Sequence, residues 1–316
     1  MVVNKDLICQ LQYRDSAKYP NNYFLIASHA VNIVFTLVFN LALVLGLYFT
    51  TRNKNYSRNE KLVIVLSIAD IINTMVVSTS QIVLLKRVEY FGCLEISTIL
   101  FFRVWFLGVS CSIFVMISWE RFFTVLYNNK ICGITINDAY SIGYFVLVVF
   151  FSFSAGICYG FIYASSNMYL QFLLYIGTGC FTLVLLLMIV VANISTLNGI
   201  KKKLKHSSLE VQRNAALESR ITKTVVIISL AHVLFFCPCI AAQYYMSFIF
   251  SKDDIYIIPP ALKILIWTLV IRKTSSWINA IIYTLRNRKL SRFYYARISS
   301  MFGNRSAKTG PVKFIR

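Results

Sequence analysis

The chain has 316 residues, of which 58% are apolar and only 14% are charged, and its mean hydropathy is +0.66. Soluble domains are typically about 45–50% apolar and about 25% charged, so this composition excludes a soluble globular protein. The 32 lysines and arginines outnumber the 12 acidic residues, which gives a formal net charge of +20.

Apolar stretches long enough to cross a bilayer, about 20 residues each, occur seven times. The predicted membrane helices cover 23–50, 61–85, 96–126, 139–163, 169–200, 221–250 and 257–285. Residues 1–20 have no apolar core and do not resemble a cleaved signal peptide, so we expect the first helix to act as the targeting signal. The predicted fold class is an all-α membrane protein, a seven-transmembrane helix bundle with a short cytoplasmic amphipathic eighth helix.

The eighth helix is predicted from residues 287–302, where basic and apolar side chains alternate at a spacing that suits a helix lying on a membrane surface. A frayed basic tail is the alternative. The predicted organisation is an extracellular N-terminus over 1–22, a seven-transmembrane domain over 23–285, and a cytoplasmic amphipathic helix and tail over 286–316.

The distribution of basic residues predicts the orientation. With the N-terminus outside, most of the lysines and arginines, including the run Lys201-Lys202-Lys203, lie on the cytoplasmic side, as the positive-inside rule requires. Anionic lipids of the inner leaflet are the expected partner of this charge. Nucleic acid is excluded as a partner because the basic residues follow the membrane spans.

Five motifs occur in order along these spans. They are Asn40, the Leu-x-x-x-Asp pattern ending at Asp70, Glu120-Arg121-Phe122, Pro238, and the Asn-x-x-x-Tyr pattern from Asn279 to Tyr283. With them, nearly the whole chain resembles the rhodopsin-like (family A) G-protein-coupled receptors. The resemblance implies a plasma-membrane receptor domain that transduces an extracellular small-molecule signal to a heterotrimeric G protein, and no enzymatic activity.

The chain departs from the family pattern at several positions. Ala280 replaces the proline of the last motif, and Phe236 replaces the tryptophan of the sixth helix. The short second outer loop has no cysteine, so the customary disulfide is in doubt. A disulfide between Cys9 and Cys93 is the replacement that the resemblance suggests, because both cysteines face the oxidising side.

Two polar centres are predicted by the resemblance. Glu120, Arg121, Glu218, Asn279 and Tyr283 would form the activation switch, with an Arg121–Glu218 ion pair holding the inactive state. Ordinary interfacial charges are the alternative.

The second centre surrounds Asp70, where a charged carboxylate is costly at membrane depth. Ser110, Ser276 and Asn279, with Ser275 as a further contributor, would complete a sodium site there. The alternative is a protonated Asp70 that hydrogen-bonds to Asn40 and Asn279.

Three cations at membrane depth set this chain apart. Arg103 lies 18 residues before Arg121, about 27 Å along a helix, and Arg272 and Lys273 precede Asn279 by about 9–10 Å. They predict a ligand with a carboxylate, phosphate or sulfate group, and Trp105, Phe236 and Tyr244 would supply apolar walls. The alternative is that the cations reach outward or face Glu95.

Lys273 also has a more specific alternative. Lys273-Thr274-Ser275 is similar to the opsin segment whose lysine holds retinal as a Schiff base, which would make retinal a cofactor. A protonated Schiff base needs a nearby anion, and the third helix offers Arg103 instead.

The remaining function classes lack their sequence signatures. A transporter or channel needs a continuous polar path or discontinuous helices, and neither is evident. The chain contains no His-Glu-x-x-His motif, nucleophile elbow or metal-spaced cysteine set, so we expect neither a catalytic nor a metal site.

Overall fold

The computed structural model describes residues 22–51, 56–87, 92–127, 130–131, 134–135, 138–164, 168–206, 209–251 and 258–301. These residues form eight helices and one two-stranded antiparallel hairpin. In chain order the elements are α1 (Asn22–Thr51), α2 (Arg58–Asn73, continued by a π-helical segment, Thr74–Ser78, and by Thr79–Arg87), α3 (Cys93–Tyr127), β1 (Lys130–Ile131), β2 (Ile134–Thr135), α4 (Asp138–Ala164), α5 (Met168–His206), α6 (Leu209–Ser251), α7 (Ile258–Arg286) and α8 (Arg288–Met301).

Local sequence explains where α2 begins. The Ser57 hydroxyl accepts a hydrogen bond from the Glu60 amide at 3.3 Å, and the Glu60 carboxylate accepts one from the Ser57 amide at 2.8 Å. This capping box satisfies backbone donors that have no partner inside the first helical turn.

Six helices close into a ring. α1, α2, α3, α5, α6 and α7 each pack on the next, and α7 packs on α1. α4 lies outside this ring against α3, and α8 packs on α1 and α7. Two apolar clusters fill much of the ring, with Leu84, Ile96 and Leu265 fully buried in one and Ile113 and Ile189 in the other.

Small side chains bring α4 close to α3. A Cβ added at Gly108 would lie 2.5 Å from the Ser152 Oγ, and one added at Gly156 would lie 2.9 Å from the Phe101 ring. Gly108 is later in α3 than Phe101, whereas Ser152 is earlier in α4 than Gly156, so the two helices are antiparallel.

The prediction of a seven-transmembrane bundle with an eighth surface helix is wrong. Within the described part of the chain, five helices are long and apolar enough to cross a membrane: Tyr23–Thr51, Arg58–Lys86, Leu94–Tyr127, Tyr169–Lys202 and Thr222–Ile249. These five helices make the protein membrane-embedded.

Two of the predicted spans, those of α4 and α7, are not among these five helices. α4 has 27 residues, and its apolar stretch within the described side chains is Val146–Phe161. α7 has the length, but Arg272 and Lys273 stand in its middle and lower its hydropathy. The charges of Arg272 and Lys273 therefore separate α7 from the five candidate spans.

Candidate functional site

The main candidate site is a cavity of about 340 Å³ whose walls come from α3, α4, α5, α6 and α7. Apolar side chains make up most of the wall. Its polar wall residues are Arg103, Ser152, Tyr159, Thr178, Thr182, Gln243 and Arg272. No aspartate or glutamate is among the described wall residues, so the charge of this cavity is positive.

Both arginines in this wall are deeply buried. Arg103 and Arg272 are each 5% exposed, and they reach the cavity from α3 and α7. An Arg272 Nη1 donates to the Cys239 Sγ at 3.9 Å, and the guanidinium carbon lies 5.5 Å from the centre of the Phe236 ring. These partners of Arg272 carry no negative charge, so its guanidinium remains available to an anion.

Lys273 lies beside this cavity rather than in its wall. Its Nζ donates to the Ser78 hydroxyl at 2.6 Å, and Ser78 is the last residue of the π-helical segment. Lys273 lines a small cavity of about 10 Å³ together with His29, Gln81 and both arginines. All three predicted cations therefore meet, but only the two arginines face the larger space.

The small cavity beside Lys273 does not have room for retinal bound to the lysine nitrogen. A cavity of about 10 Å³ holds at most one water, whereas a Schiff base needs room for a polyene next to the lysine nitrogen. Its described walls contain Arg103 and Arg272 and no carboxylate to balance a protonated Schiff base.

The predicted aromatic walls lie elsewhere. The centre of the Trp105 ring lies 5.1 Å from that of Phe106 and 5.2 Å from that of Phe153, a residue of α4. Phe236 packs on the His232 ring at 4.0 Å and under Arg272. The Tyr244 hydroxyl lies 3.3 Å from the Cys180 Sγ. None of these three predicted wall aromatics lines the 340 Å³ cavity, although Phe236 contacts its wall residue Arg272.

A second, smaller cavity of about 30 Å³ lies between α1, α2, α3, α6 and α7. Asp70, Asn40 and Asn279 line it, and all three are at most 5% exposed. The Ser110 hydroxyl donates to the Asp70 Oδ1 at 3.2 Å, and the Ser276 hydroxyl is a second partner of this carboxylate.

This smaller cavity fits one ion or water. The Asn279 side chain has neither its oxygen nor its nitrogen hydrogen-bonded, although both are buried. The Asn40 Nδ2 instead donates to the backbone oxygens of Thr36 and Ser276, at 3.0 and 3.3 Å. Ser275, which precedes Ser276 in the sequence, is also buried but is not part of the cavity wall. A carboxylate and free amide oxygen suit sodium, which prefers hard oxygen ligands.

The predicted switch residues lie near the end of α3 and in α7. The Arg121 Nε and the Glu120 Oε2 form an ion pair at 3.0 Å, and both side chains are about 10% exposed. The Asn59 Nδ2 donates to the Tyr283 hydroxyl at 3.3 Å. At the same level the Arg286 Nε donates to the Thr224 Oγ1 at 3.0 Å, which joins α7 to α6.

Some predicted residues fall outside the described part of the chain. These are Cys9 and the side chains of Cys93 and Glu218, so the Cys9–Cys93 disulfide and the Arg121–Glu218 pair stay predictions. Glu95, the predicted alternative partner of the cations, is exposed and lines neither cavity.

Sequence reasoning missed Gln243, Tyr159, His29 and Gln81. The Gln243 Oε1 and both ring nitrogens of His29 are buried without a hydrogen-bond partner. Glutamine and histidine inside an apolar span were the available signal, because such groups cost free energy unless they meet a partner. No protein-family model matches this chain, and no curated protein is significantly similar to it.

Proposed function

We propose that this protein is a membrane receptor that binds a small anionic or amphiphilic ligand and passes the signal to a heterotrimeric G protein. One observation carries the proposal: Arg103 and Arg272, from two different helices, both line the 340 Å³ cavity. Two guanidinium groups can hold a carboxylate, phosphate or sulfate through paired hydrogen bonds.

Electrostatics support an anionic ligand. Placing an arginine or lysine at the centre of a membrane helix costs about 2.5–3.5 kcal/mol on insertion scales. The Cys239 thiol and the Ser78 hydroxyl, which contact Arg272 and Lys273, are neutral and offset little of that cost. An anion bound in the larger cavity would offset much more, because a charge pair is less screened in a medium of low dielectric constant.

The coupling half of the proposal rests on the Glu120-Arg121-Phe122 motif. Arg121 is buried, and its Nε lies 3.0 Å from the Oε2 of Glu120, its neighbour in α3. Movement of α6 away from α3 would uncover this buried arginine for the G protein. A ligand can drive this change only by binding one of the two arrangements more tightly.

The orientation follows from charge. We place the N-terminus outside and the chain in the plasma membrane, so that α8 lies at the cytoplasmic surface. Its exposed Arg288, Lys289, Arg292 and Arg297 would then face anionic lipids of the inner leaflet.

The test is a ligand screen read out as guanine-nucleotide exchange on purified G proteins. Carboxylates, sulfates and phosphates with and without an apolar chain are applied to the receptor in nanodiscs. We expect Arg272→Gln and Arg103→Gln to lower the potency of an active anion at least tenfold, because each removes one cationic partner of the ligand. A tenfold change corresponds to about 1.4 kcal/mol.

Two control variants make the result specific. Arg292→Gln removes an exposed arginine of α8 and leaves potency unchanged if cavity charge is what matters. Arg121→Ala abolishes nucleotide exchange but keeps ligand binding if the motif couples to the G protein. Full potency of every active anion on the Arg103→Gln, Arg272→Gln double variant would refute the anionic-ligand proposal.

A further inference from the structure

The 340 Å³ cavity reaches the outer surface of the bundle between α4 and α5. Five of its wall residues are exposed: Ala155 and Cys158 in α4, and Leu173, Gly177 and Phe181 in α5. The Leu173 side chain is 41% exposed and that of Phe181 is 48% exposed. They lie inside an apolar helix and a candidate span, so this opening faces the bilayer and not water.

The opening has a simple structural cause. α4 packs mainly on α3, whereas α5 packs mainly on α6, and α4 and α5 touch each other only slightly. The wall residues at the gap include Ala155, Gly177 and Thr178, whose side chains are too small to close it. At Gly177 an added Cβ would meet no atom within 4 Å, so the space beside this residue is open.

Polar groups lie at the opposite, inner side of the same cavity. Arg103, Arg272 and Gln243 are each 5% exposed, and they come from α3, α7 and α6. The Gln243 Oε1 is buried with no hydrogen-bond partner. The two guanidinium groups are cationic hydrogen-bond donors, so this inner side favours a head group that carries negative charge. The Gln243 Oε1 is an acceptor and adds no attraction to an anion.

The wall is also long. From Leu173 to Leu185 it follows α5 over about 18 Å, at 1.5 Å per residue. The large apolar side chains that α5 contributes to this wall include Leu174, Phe181 and Leu185. This length and lining suit an apolar chain attached to a small head group better than they suit a compact polar metabolite.

We propose that the opening between α4 and α5 is a lateral entrance through which a single-chain amphiphile with an anionic head enters from the bilayer. Its head binds Arg103 and Arg272, and its chain lies along α5 toward the gap. This inference rests on the proposed anion site and adds the chemical class of the ligand and its route of entry. An anion arriving from water would have no need of an entrance lined by Leu173 and Phe181.

The test uses palmitate that carries a photoreactive diazirine in its chain, added to the receptor in phosphatidylcholine nanodiscs. After illumination, adducts are mapped by peptide mass spectrometry. We expect adducts on α4 and α5 peptides that contain the cavity wall. Gly177→Trp should lower this labelling at least tenfold, because the ring fills the open space without displacing backbone.

The matched control is Gly143→Trp. Gly143 is also an exposed glycine with no atom within 4 Å of an added Cβ, but it does not line the cavity. Its labelling should equal that of the unmodified receptor. Cys158→Trp fills the gap from α4 instead. It provides a second test of the entrance if Gly177→Trp does not fold.

The head-group requirement is tested separately. Arg272→Gln should lower palmitate labelling of the cavity, and a diazirine-bearing hexadecanol, which lacks the charge, should label it weakly in every variant. Competition by unlabelled palmitate and by lysophosphatidate then distinguishes a carboxylate head from a phosphate head, and competition by either supports the proposal.

The outcomes separate this inference from the proposed function. If Arg272→Gln abolishes labelling while Gly177→Trp and Cys158→Trp leave it unchanged, the anion site stands and the lateral entrance is refuted. If palmitate labels no cavity residue while butyrate activates the receptor, the amphiphile is refuted and the anionic receptor stands. If neither arginine variant changes any response, both proposals fail.

Discussion

Asp70 illustrates how single residues set the properties of this bundle. Its carboxylate has two hydroxyl partners, Ser110 and Ser276, and it borders a cavity of about 30 Å³. That volume exceeds the minimum for one water. The unpartnered amide of Asn279 shares the cavity wall. A sodium ion or a water would satisfy both groups.

Sodium binding at Asp70 is testable through stability. A ligand of the folded state at 100 times its dissociation constant stabilises it by about 2.7 kcal/mol. We therefore expect a Tm several degrees higher in NaCl than in KCl at equal ionic strength, measured by thermal unfolding of the purified protein. Asp70→Asn should remove this difference because it deletes the only formal charge at the site.

The control for this prediction is Ser275→Ala. Ser275 is buried but does not line the cavity, so the sodium effect should persist in that variant. Equal Tm values of the unmodified protein in the two salts would favour the protonated Asp70 that the sequence leaves open as the alternative.

Helix α8 shows how one element is fixed by a few contacts. Leu290 is fully buried against α1, and the Tyr294 hydroxyl donates to the Ala42 carbonyl. Burial raises the pKa of the Tyr294 hydroxyl, which therefore remains a donor at neutral pH. Gly46 allows this approach, since its added Cβ would lie 2.7 Å from the Tyr294 hydroxyl oxygen and 2.8 Å from the Leu290 Cδ2.

We expect Gly46→Leu to loosen α8. Overpacking a tight contact typically costs about 1–3 kcal/mol, which would expose Leu290 more often. The measurement is the rate of maleimide labelling of Leu290→Cys in a background with the exposed cysteines Cys158, Cys180 and Cys237 replaced by serine. Labelling should be several-fold faster with Gly46→Leu.

Gly143→Leu serves as the control for helix α8, because its added side chain meets open space. It should leave the labelling rate unchanged. Equal maleimide-labelling rates with Gly46 and with Gly46→Leu would contradict the prediction. They would show that the side chains of α8 adjust to the larger residue while α8 stays packed on α1.

At the scale of the whole molecule, α7 belongs to the ring although it is not one of the five candidate spans. It packs on α1 and α6, and its Arg272 and Lys273 point to partners on α6 and α2. Neighbouring helices thus supply contacts for these two cations. The hydropathy of α7, which depends on its own sequence alone, does not include such contacts.

This arrangement predicts that α7 enters a membrane poorly by itself. In a glycosylation-mapping assay, the isolated segment Ile258–Arg286 should insert less efficiently than Tyr23–Thr51, because two central cations cost about 2.5–3.5 kcal/mol each. Replacing Arg272 and Lys273 by leucine should raise its insertion to that of Tyr23–Thr51. Efficient insertion of the unmodified segment would show that its charges do not limit entry.

Helix positions were largely predictable, because long apolar runs leave few alternatives to a helix in a membrane. The predicted helix over 23–50 and α1 at Asn22–Thr51 differ by one residue at each end. The number of candidate spans was not predicted correctly, since apolar runs were counted without weighing the cations of α7. Among the site residues, Arg103 and Arg272 could be singled out as costly buried cations. Gln243 gave the weaker signal of a polar side chain inside an apolar span, and nothing in its local sequence shows which space it faces.

The sequence by itself determined that the protein is embedded in a membrane and that it carries cations within its helices, because both follow from composition and from position along the chain. Only the tertiary structure decided that Arg103 and Arg272 share a cavity while Lys273 turns toward Ser78. It also decided that this cavity opens between α4 and α5. The physical reason is that a side chain's surroundings depend on the rotation and spacing of helices distant in sequence, and Lys273 and Ser78 are 195 residues apart.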